Sequence, residues 1–424
     1  MIIKREKKDR VRLGWIGVGR RGFTMLKLAL EMTDDVDLVW VADLDRAKLE
    51  RVEGFCEDEG IKIPRLTENY FDILEDETVD AVIVMSEWYS HGKIALDALK
   101  AGKYTGVEVG CVHDINECFK LVDAYEKYGA PLMMLENCCY GRKELTALRM
   151  AREGLFGEIV HADGAYGHYL NDVELFIRPD KPGGETKHYR QYEYLNRCCE
   201  NYPTHAFGPI AKTLRLNRGN RALSLSSFAS KSRGLKDFVT RHLSEDHPLW
   251  GKDFKQGDIV TTVITCAGGE TIRLTLDTTV PRPYYSRSFT IRGTRGCCIE
   301  EGHGSVTFYL EGMEEGVMNN KEEIFKEYDH PIHAGVKEED QKGGHADGMD
   351  WHVLRAFFEA VKNGTDTPID AYDTATWMAI GPLSEQSIAC GGAPVAFPDF
   401  TSGAWFHREP IVKSKYCLDE VFDC

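Results

Sequence analysis

The chain has 424 residues, 42% hydrophobic and 28% charged. That is an ordinary globular mix, long enough for about two or three domains and for a core that needs neither disulfide nor metal. Fifty-two Lys and Arg against 68 Asp and Glu give a formal charge of −16, which argues against a phosphate-backbone binder and leaves no nucleic-acid partner to expect. No apolar run reaches the roughly 18 residues of a membrane span. Arg20-Arg21-Gly22-Phe23 looks like the start of a twin-arginine signal, but Thr24 to Met32 carries Lys27 and Glu31 and no cleavage site, so the expectation is a cytoplasmic protein. The 13 cysteines include three adjacent pairs and no Cys-x-x-Cys, a pattern of free thiols rather than a metal site.

Along the first 136 residues, short β-branched runs alternate with helical patterns. Strands are expected at Val11–Val18, Val36–Asp43, Ala81–Ser86, Tyr104–Val109 and Pro131–Glu136. Helices are expected at Arg21–Glu31, Arg46–Glu59, His91–Lys100 and Ile115–Lys127. This alternation predicts a doubly wound parallel sheet with right-handed crossovers. Residues 137–424 read differently. A helix at Leu145–Glu153 and a strand at Ile159–Tyr166 precede a polar stretch, 167–200, expected to be a long loop. Ala206–Leu214 continues as helix. Strand-like runs follow at Ala222–Ala229, Ile259–Cys266, Thr271–Thr279, Ser288–Arg292 and Ser305–Leu310, with no helices expected between them. They predict an α+β domain built on a large open mixed or antiparallel sheet. Helices at Trp351–Lys362 and Thr374–Gly391 and an irregular tail from about 394 complete the reading.

Gly17-Val18-Gly19-Arg20-Arg21-Gly22 follows a strand and opens a helix. In that context the glycines allow a tight turn, backbone approach to a pyrophosphate and close helix packing, with the helix N-terminus facing the anion. Asp43, at the end of the second strand, is placed to accept from an adenosine ribose and would repel a 2′-phosphate, so the expected cofactor is NAD. Arg46 tempers that choice. Arg20 and Arg21 belong to the same cofactor set. Met85 to His91 follows a strand whose end faces the ligand crevice; Trp88 and His91 are assigned to the cofactor, and Ser90 equally reads as a helix cap.

The glycine loop, Ala101-Gly102-Lys103 and the strand ending Glu108-Val109-Gly110 resemble the glucose–fructose oxidoreductase/inositol dehydrogenase/MocA superfamily. The resemblance implies a Rossmann fold and adds Glu108 to the cofactor residues. Val109 and Gly110 stand where the superfamily has lysine and proline, so the lysine that serves its dehydrogenases is missing. Later segments are similar to glycoside hydrolase family 109, NAD-dependent α-N-acetylgalactosaminidases, over nearly the whole chain. They are Leu135-Glu136-Asn137-Cys138-Cys139-Tyr140, Gly154 to His161, Asn201-Tyr202-Pro203-Thr204-His205, Arg282-Pro283-Tyr284, Gly344 to Asp350 and Pro398-Asp399-Phe400-Thr401.

That likeness implies a redox-neutral glycoside hydrolase. Transient oxidation at sugar carbon 3 acidifies the carbon 2 hydrogen, the aglycone is eliminated, water adds, and the hydride returns. The alternative is an NAD(P)-dependent sugar oxidoreductase releasing a keto product. Tyr202 and His205, three residues apart at a helix start, are the expected acid/base pair. The resemblance adds Glu136 and Tyr284 to the catalytic set and His168 to the cofactor set. His345, Asp347, Asp350 and His352 resemble a metal cluster, but a substrate-binding turn is the preferred reading and no metal is expected. Homo-oligomers are common in the superfamily and are expected here.

Overall fold

In a computed structural model, the protein is described at residues 5–32, 34–110, 112–171, 189–333, 348–409 and 413–422. The chain packs as two compact units. The first comprises Met1–Arg142, His330–Thr376 and Glu409–Cys424; the second comprises Lys143–Asp329 and Trp377–Arg408.

The first unit carries a six-stranded, wholly parallel sheet. Its strands are β1 (Val11–Ile16), β2 (Val36–Ala42), β3 (Arg65–Thr67), β4 (Ala81–Val84), β5 (Tyr104–Val107) and β6 (Leu132–Met134), in the order β3-β2-β1-β4-β5-β6. The reversal between β1 and β4 is the switch point of a doubly wound sheet, where ligands bind beyond the strand C-termini. β4 and β5 are buried at every position, the continuous apolar run expected of strands covered on both faces. Crossover helices Arg20–Leu30, Arg46–Asp58, Trp88–Lys100 and Ile115–Tyr128 lie where the pattern places them, give or take a turn. The last begins with a full capping box, Asp114 with Glu117, and ends at Gly129 with φ +63°, a strong local start signal and a strong local stop signal respectively.

The second unit holds an eight-stranded sheet of β7 (Ile159–Gly167), β8 (Ala222–Ala229), β9 (Ile259–Cys266), β10 (Thr271–Asp277), β11 (Thr290–Gly293), β12 (Gly296–Gly302), β13 (Ser305–Leu310) and β14 (Val395–Ala396), in the order β13-β12-β11-β7-β10-β9-β8-β14. β10 runs parallel to β7; the other pairings are antiparallel. Leu225, Ile264, Ile272 and Ala162 share the buried side, whereas Phe228 and Val263 are exposed, the period-two alternation of a sheet covered on one face. The helix Thr204–Thr213 lies against β7. Gly164 lets it in: a Cβ there would stand 2.6 Å from the Ala206 Cβ.

Several expectations need correction. The stretch 167–200 is not all loop, because Tyr189–Asn196 is helical; residues 172–188 lie outside the described set. A helix at Gly234–His242 interrupts the run of strands, and Lys321–Tyr328 is a further helix. The late helix splits into Ala371–Met378 and Ile380–Ala389. His345 and Asp347, with the rest of Gly344-His345-Ala346-Asp347, lie outside the described residues.

Candidate active site

In the first unit the glycine loop joins β1 to the helix Arg20–Leu30. Gly17 has φ +94°, and a Cβ on it would sit 2.8 Å from the Met85 backbone. A Cβ on Gly22 would sit 2.3 Å from the Gly17 carbonyl oxygen. A Cβ on Gly19 meets nothing within 4 Å. Two glycines are therefore demanded by the protein's own packing, and the third faces open space, the division expected of a pyrophosphate cradle. The helix that follows has no side-chain cap and no acidic residue in its first turn, so its free N–H groups and positive end are available to an anion.

Asp43 lies just past β2. Its carboxylate accepts from the Val18 N–H at 2.8 Å and the Asp45 N–H at 3.0 Å, with Lys48 3.8 Å away. The loop and the ribose-side carboxylate are thus fixed to each other. Arg46 pairs with Glu50 on its own helix. Arg51 donates to the Val18 carbonyl and stacks over Phe23, a brace the sequence reading missed. These residues fit a bound dinucleotide.

Of the other residues assigned to the cofactor, Arg20 is exposed. Arg21 forks onto Asp350 with two bonds of 2.7 Å and lies 3.5 Å from Glu108. Trp88 and His91 are buried at the start of the helix Trp88–Lys100. They explain Gly110: with φ +147°, a Cβ there would stand 2.4 Å from the Trp88 ring and 2.8 Å from His91. Glu136 is fully buried after β6, its carboxylate accepting from the Cys138 N–H at 3.0 Å. Asp350 and His352 diverge. The first pairs with Arg21; the second meets the His333 ring edge to face at 5.0 Å, where burial pushes its imidazole down to about 3.

The second unit gathers the proton-bearing side chains. Tyr166 and His168 come from the end of β7, and Tyr202 and His205 from the start of the helix Thr204–Thr213. Ring centroids are 4.3 Å apart for Tyr166 and Tyr202, 4.9 Å for Tyr202 and His205, and 5.7 Å for Tyr166 and His205. The Tyr166 hydroxyl lies 3.3 Å from His168 Nδ1. The Arg190 guanidinium sits 5.0 Å from the centre of the Tyr202 ring.

The tyrosine that joins this cluster from 282–285 is Tyr285, 5.3 Å from His168 and 6.2 Å from Tyr166. Tyr284 stacks instead on His303 at 4.5 Å and fills the space above Gly302, where a Cβ would be 2.3 Å away. Arg282 contributes to this choice. It pairs with Asp277 at 2.6 Å and donates to the Tyr284 carbonyl at 2.8 Å, while Gly167 and Ser286 exchange two 3.0 Å backbone bonds. Tyr166, Tyr285 and Arg190 escaped the sequence reading; the neighbouring pair Tyr284-Tyr285 was the one available signal.

Glu200 is buried behind Tyr202, with backbone N–H groups of Tyr202 and Leu276 on its carboxyl. Desolvation outweighs those bonds and pushes it up to about 8. A groove of about 540 Å³ opens beside Tyr169 and Asn171, lined by Arg233, Lys236 and Asp237 among others, and contains none of the clustered rings.

Two family models match the chain: "Oxidoreductase family, NAD-binding Rossmann fold" over residues 11–136 and "Glycosyl hydrolase 109, C-terminal domain" over residues 140–407. The α-N-acetylgalactosaminidase of Tannerella forsythia is 39% identical over 418 residues, 94% of this chain and 88% of that protein. A glycosyl hydrolase family 109 protein of Stenotrophomonas maltophilia is 38% identical over 423 residues, 95% of this chain and 91% of its own. Among solved structures, levoglucosan dehydrogenase with NADH and L-sorbose aligns at TM-score 0.66 and 16% identity, covering 92% of this chain and all of that one; its apo form reaches 0.70. At that identity the likeness speaks to the fold alone.

Proposed function

Because this chain belongs to glycosyl hydrolase family 109 and carries its NAD-binding Rossmann domain, we propose that it is a glycosidase that uses NAD without net oxidation of its substrate. The observation that carries the reading is the cluster of Tyr166, His168, Tyr202, His205 and Tyr285. Gly17, Gly19, Gly22, Asp43 and the first turn of Arg20–Leu30 would hold the dinucleotide. Bound there, it supplies reversible hydride exchange at sugar carbon 3, which makes the carbon 2 hydrogen acidic enough for the carbon 1 substituent to leave.

The remaining work is proton transfer. A base is needed for the carbon 3 hydroxyl, another for carbon 2, and an acid for the departing oxygen, each contributing about 10²–10⁴ in rate. We assign these to Tyr202 and His205 first, with Tyr166, His168 and Tyr285 beside them and Glu136 as a supporting carboxylate. The Tyr202 backbone N–H donates to the buried Glu200 carboxyl, and the Arg190 guanidinium lies over the Tyr202 ring. His205 projects from a helix otherwise buried along its length, so its ring is the one polar group that this helix offers outward.

The substrate class is a glycoside, and the name of the Tannerella relative makes an N-acetylhexosaminide the first candidate. The exposed Phe228 and Val263 on the open sheet face support a homo-oligomer. The described cysteines form no disulfide, which supports a reducing, cytoplasmic setting. Among the described residues no helix is long and apolar enough to cross a membrane.

The test is turnover of aryl α- and β-glycosides, N-acetylhexosaminides included, in deuterated water. Deuterium at carbon 2 of the released sugar, with catalytic NAD and no net growth of NADH absorbance, is expected. Accumulating NADH with a keto product would replace this reading with a sugar oxidoreductase, and protium at carbon 2 would refute the elimination.

A further inference from the structure

Asp350 lies in the first turn of the helix Met349–Asn363, wholly buried, with its side chain 1% exposed. A buried carboxylate needs partners for both oxygens. Arg21 supplies a fork, Nη1 to Oδ2 and Nη2 to Oδ1, each at 2.7 Å. Asn137 Nδ2 donates to Oδ1 at 2.8 Å. Arg21 is the second residue of the helix that the glycine loop opens, and Asn137 follows Glu136. One carboxylate therefore ties the start of the pyrophosphate helix to the turn carrying Glu136.

The Arg20–Leu30 helix has neither a capping side chain nor a first-turn acid. Little on its own first turn fixes the direction of its leading N–H groups. The fork to Asp350 does so from outside. A bidentate arginine–carboxylate pair constrains orientation as well as distance, and the 3.5 Å approach of Glu108 to Arg21 Nε limits the guanidinium from a second side.

We infer that Asp350 is a positioning residue for the dinucleotide site, acting through Arg21. The inference rests on NAD binding alone and survives whichever net reaction the enzyme performs. Nothing in it requires Asp350 to touch the cofactor.

The test is calorimetric titration of NAD-stripped protein with NAD. Asp350→Asn keeps the shape but removes the charge the fork needs, and about a tenfold weaker Kd is expected for it. In an Arg21→Ala background the same change is expected to shift Kd by less than about twofold, since residues acting through one contact are strongly non-additive. Asp350→Glu is expected to recover part of the affinity. An unchanged Kd for Asp350→Asn, or an equal loss in both backgrounds, would overturn the inference. Should Asp350→Asn not fold, the pair Arg21→Met/Asp350→Leu replaces the ions by apolar side chains. It is expected to fold and to bind NAD about tenfold more weakly, and wild-type affinity in it would count against Asp350.

Discussion

The three glycines of the loop make separable predictions, and Gly19→Ala is the sharpest. Gly19 has φ −58° and ψ −169°, accessible to alanine, and its added Cβ touches nothing within 4 Å. Alanine at this helix-capping position costs about 0.5–1 kcal/mol relative to better caps. The reduced freedom of the unfolded chain offsets about 0.4–1 kcal/mol of that. The NAD-free protein should therefore melt within a degree or two of wild type. The methyl group occupies the direction left open for the pyrophosphate. Pushing the phosphate away weakens one or two charge-assisted N–H bonds of about 1.5–3 kcal/mol each. At 1.4 kcal/mol per decade, one lost bond raises Kd roughly 10- to 150-fold. Gly22→Ala should behave differently, because its Cβ would lie 2.3 Å from a backbone oxygen, so it should lose thermal stability as well. Calorimetry with NAD and melting of the stripped protein check both. Wild-type NAD affinity in Gly19→Ala would refute the reading of this loop as the cradle.

His205→Ala and Tyr202→Phe should each lower kcat by about 10²–10⁴ while leaving NAD affinity within about twofold, measured by steady-state kinetics beside calorimetry. Tyr285→Phe, which removes a hydroxyl beside the acid/base pair, should slow turnover by at least about tenfold, less than the roughly 10²–10⁴ of a primary proton-transfer group; Tyr284→Phe should not, and a reversed ranking would show that the ring facing His303 is the functional one. Glu200, raised to about 8 by burial, holds a proton in the folded state that the unfolded chain has lost above its ordinary 4.5. Its stability contribution is therefore present at low pH and falls as pH rises from about 4.5 to 8, at up to about 1.4 kcal/mol per unit. Glu200→Gln should flatten that part of the curve in denaturant titrations at pH 5 and 8, and an unchanged slope would mean that Glu200 is ionised throughout.

The Rossmann half was legible because its signals are local. Glycines at turns, Asp114 with Glu117 at a helix start and buried runs such as Ala81–Val84 each state their conformation within a few residues. What escaped was short or non-local. β3 and the helix Phe71–Glu75 span three and five residues, too few to set a period. The helix Gly234–His242 hid between two strong strands. The apolar face of Met349–Asn363 says that it packs, not that it returns to the first unit. The choice between Tyr284 and Tyr285 is made by Arg282, Gly302 and His303 together, and no pattern within the dipeptide contains that information.

The departure at 109–110 ties the two halves of the chemistry together. Proline, with φ near −65°, cannot adopt the +147° of Gly110, and Val109 is buried at 3% exposure, a place where an ammonium would be heavily desolvated. Lys103 is no substitute: it precedes β5, at the opposite end of the strand from 109–110, and its Nζ is spent on the Asp76 and Val79 carbonyls. This strand end therefore brings no lysine to the reaction. A single dehydrogenation needs one proton acceptor, whereas oxidation, elimination and water addition need protons moved at carbon 3, carbon 2 and the leaving oxygen. Two of the second unit's segments bring two such groups each, Tyr166 with His168 and Tyr202 with His205, and a third brings Tyr285. That surplus over what a plain dehydrogenase requires is what supports the proposed redox-neutral cycle.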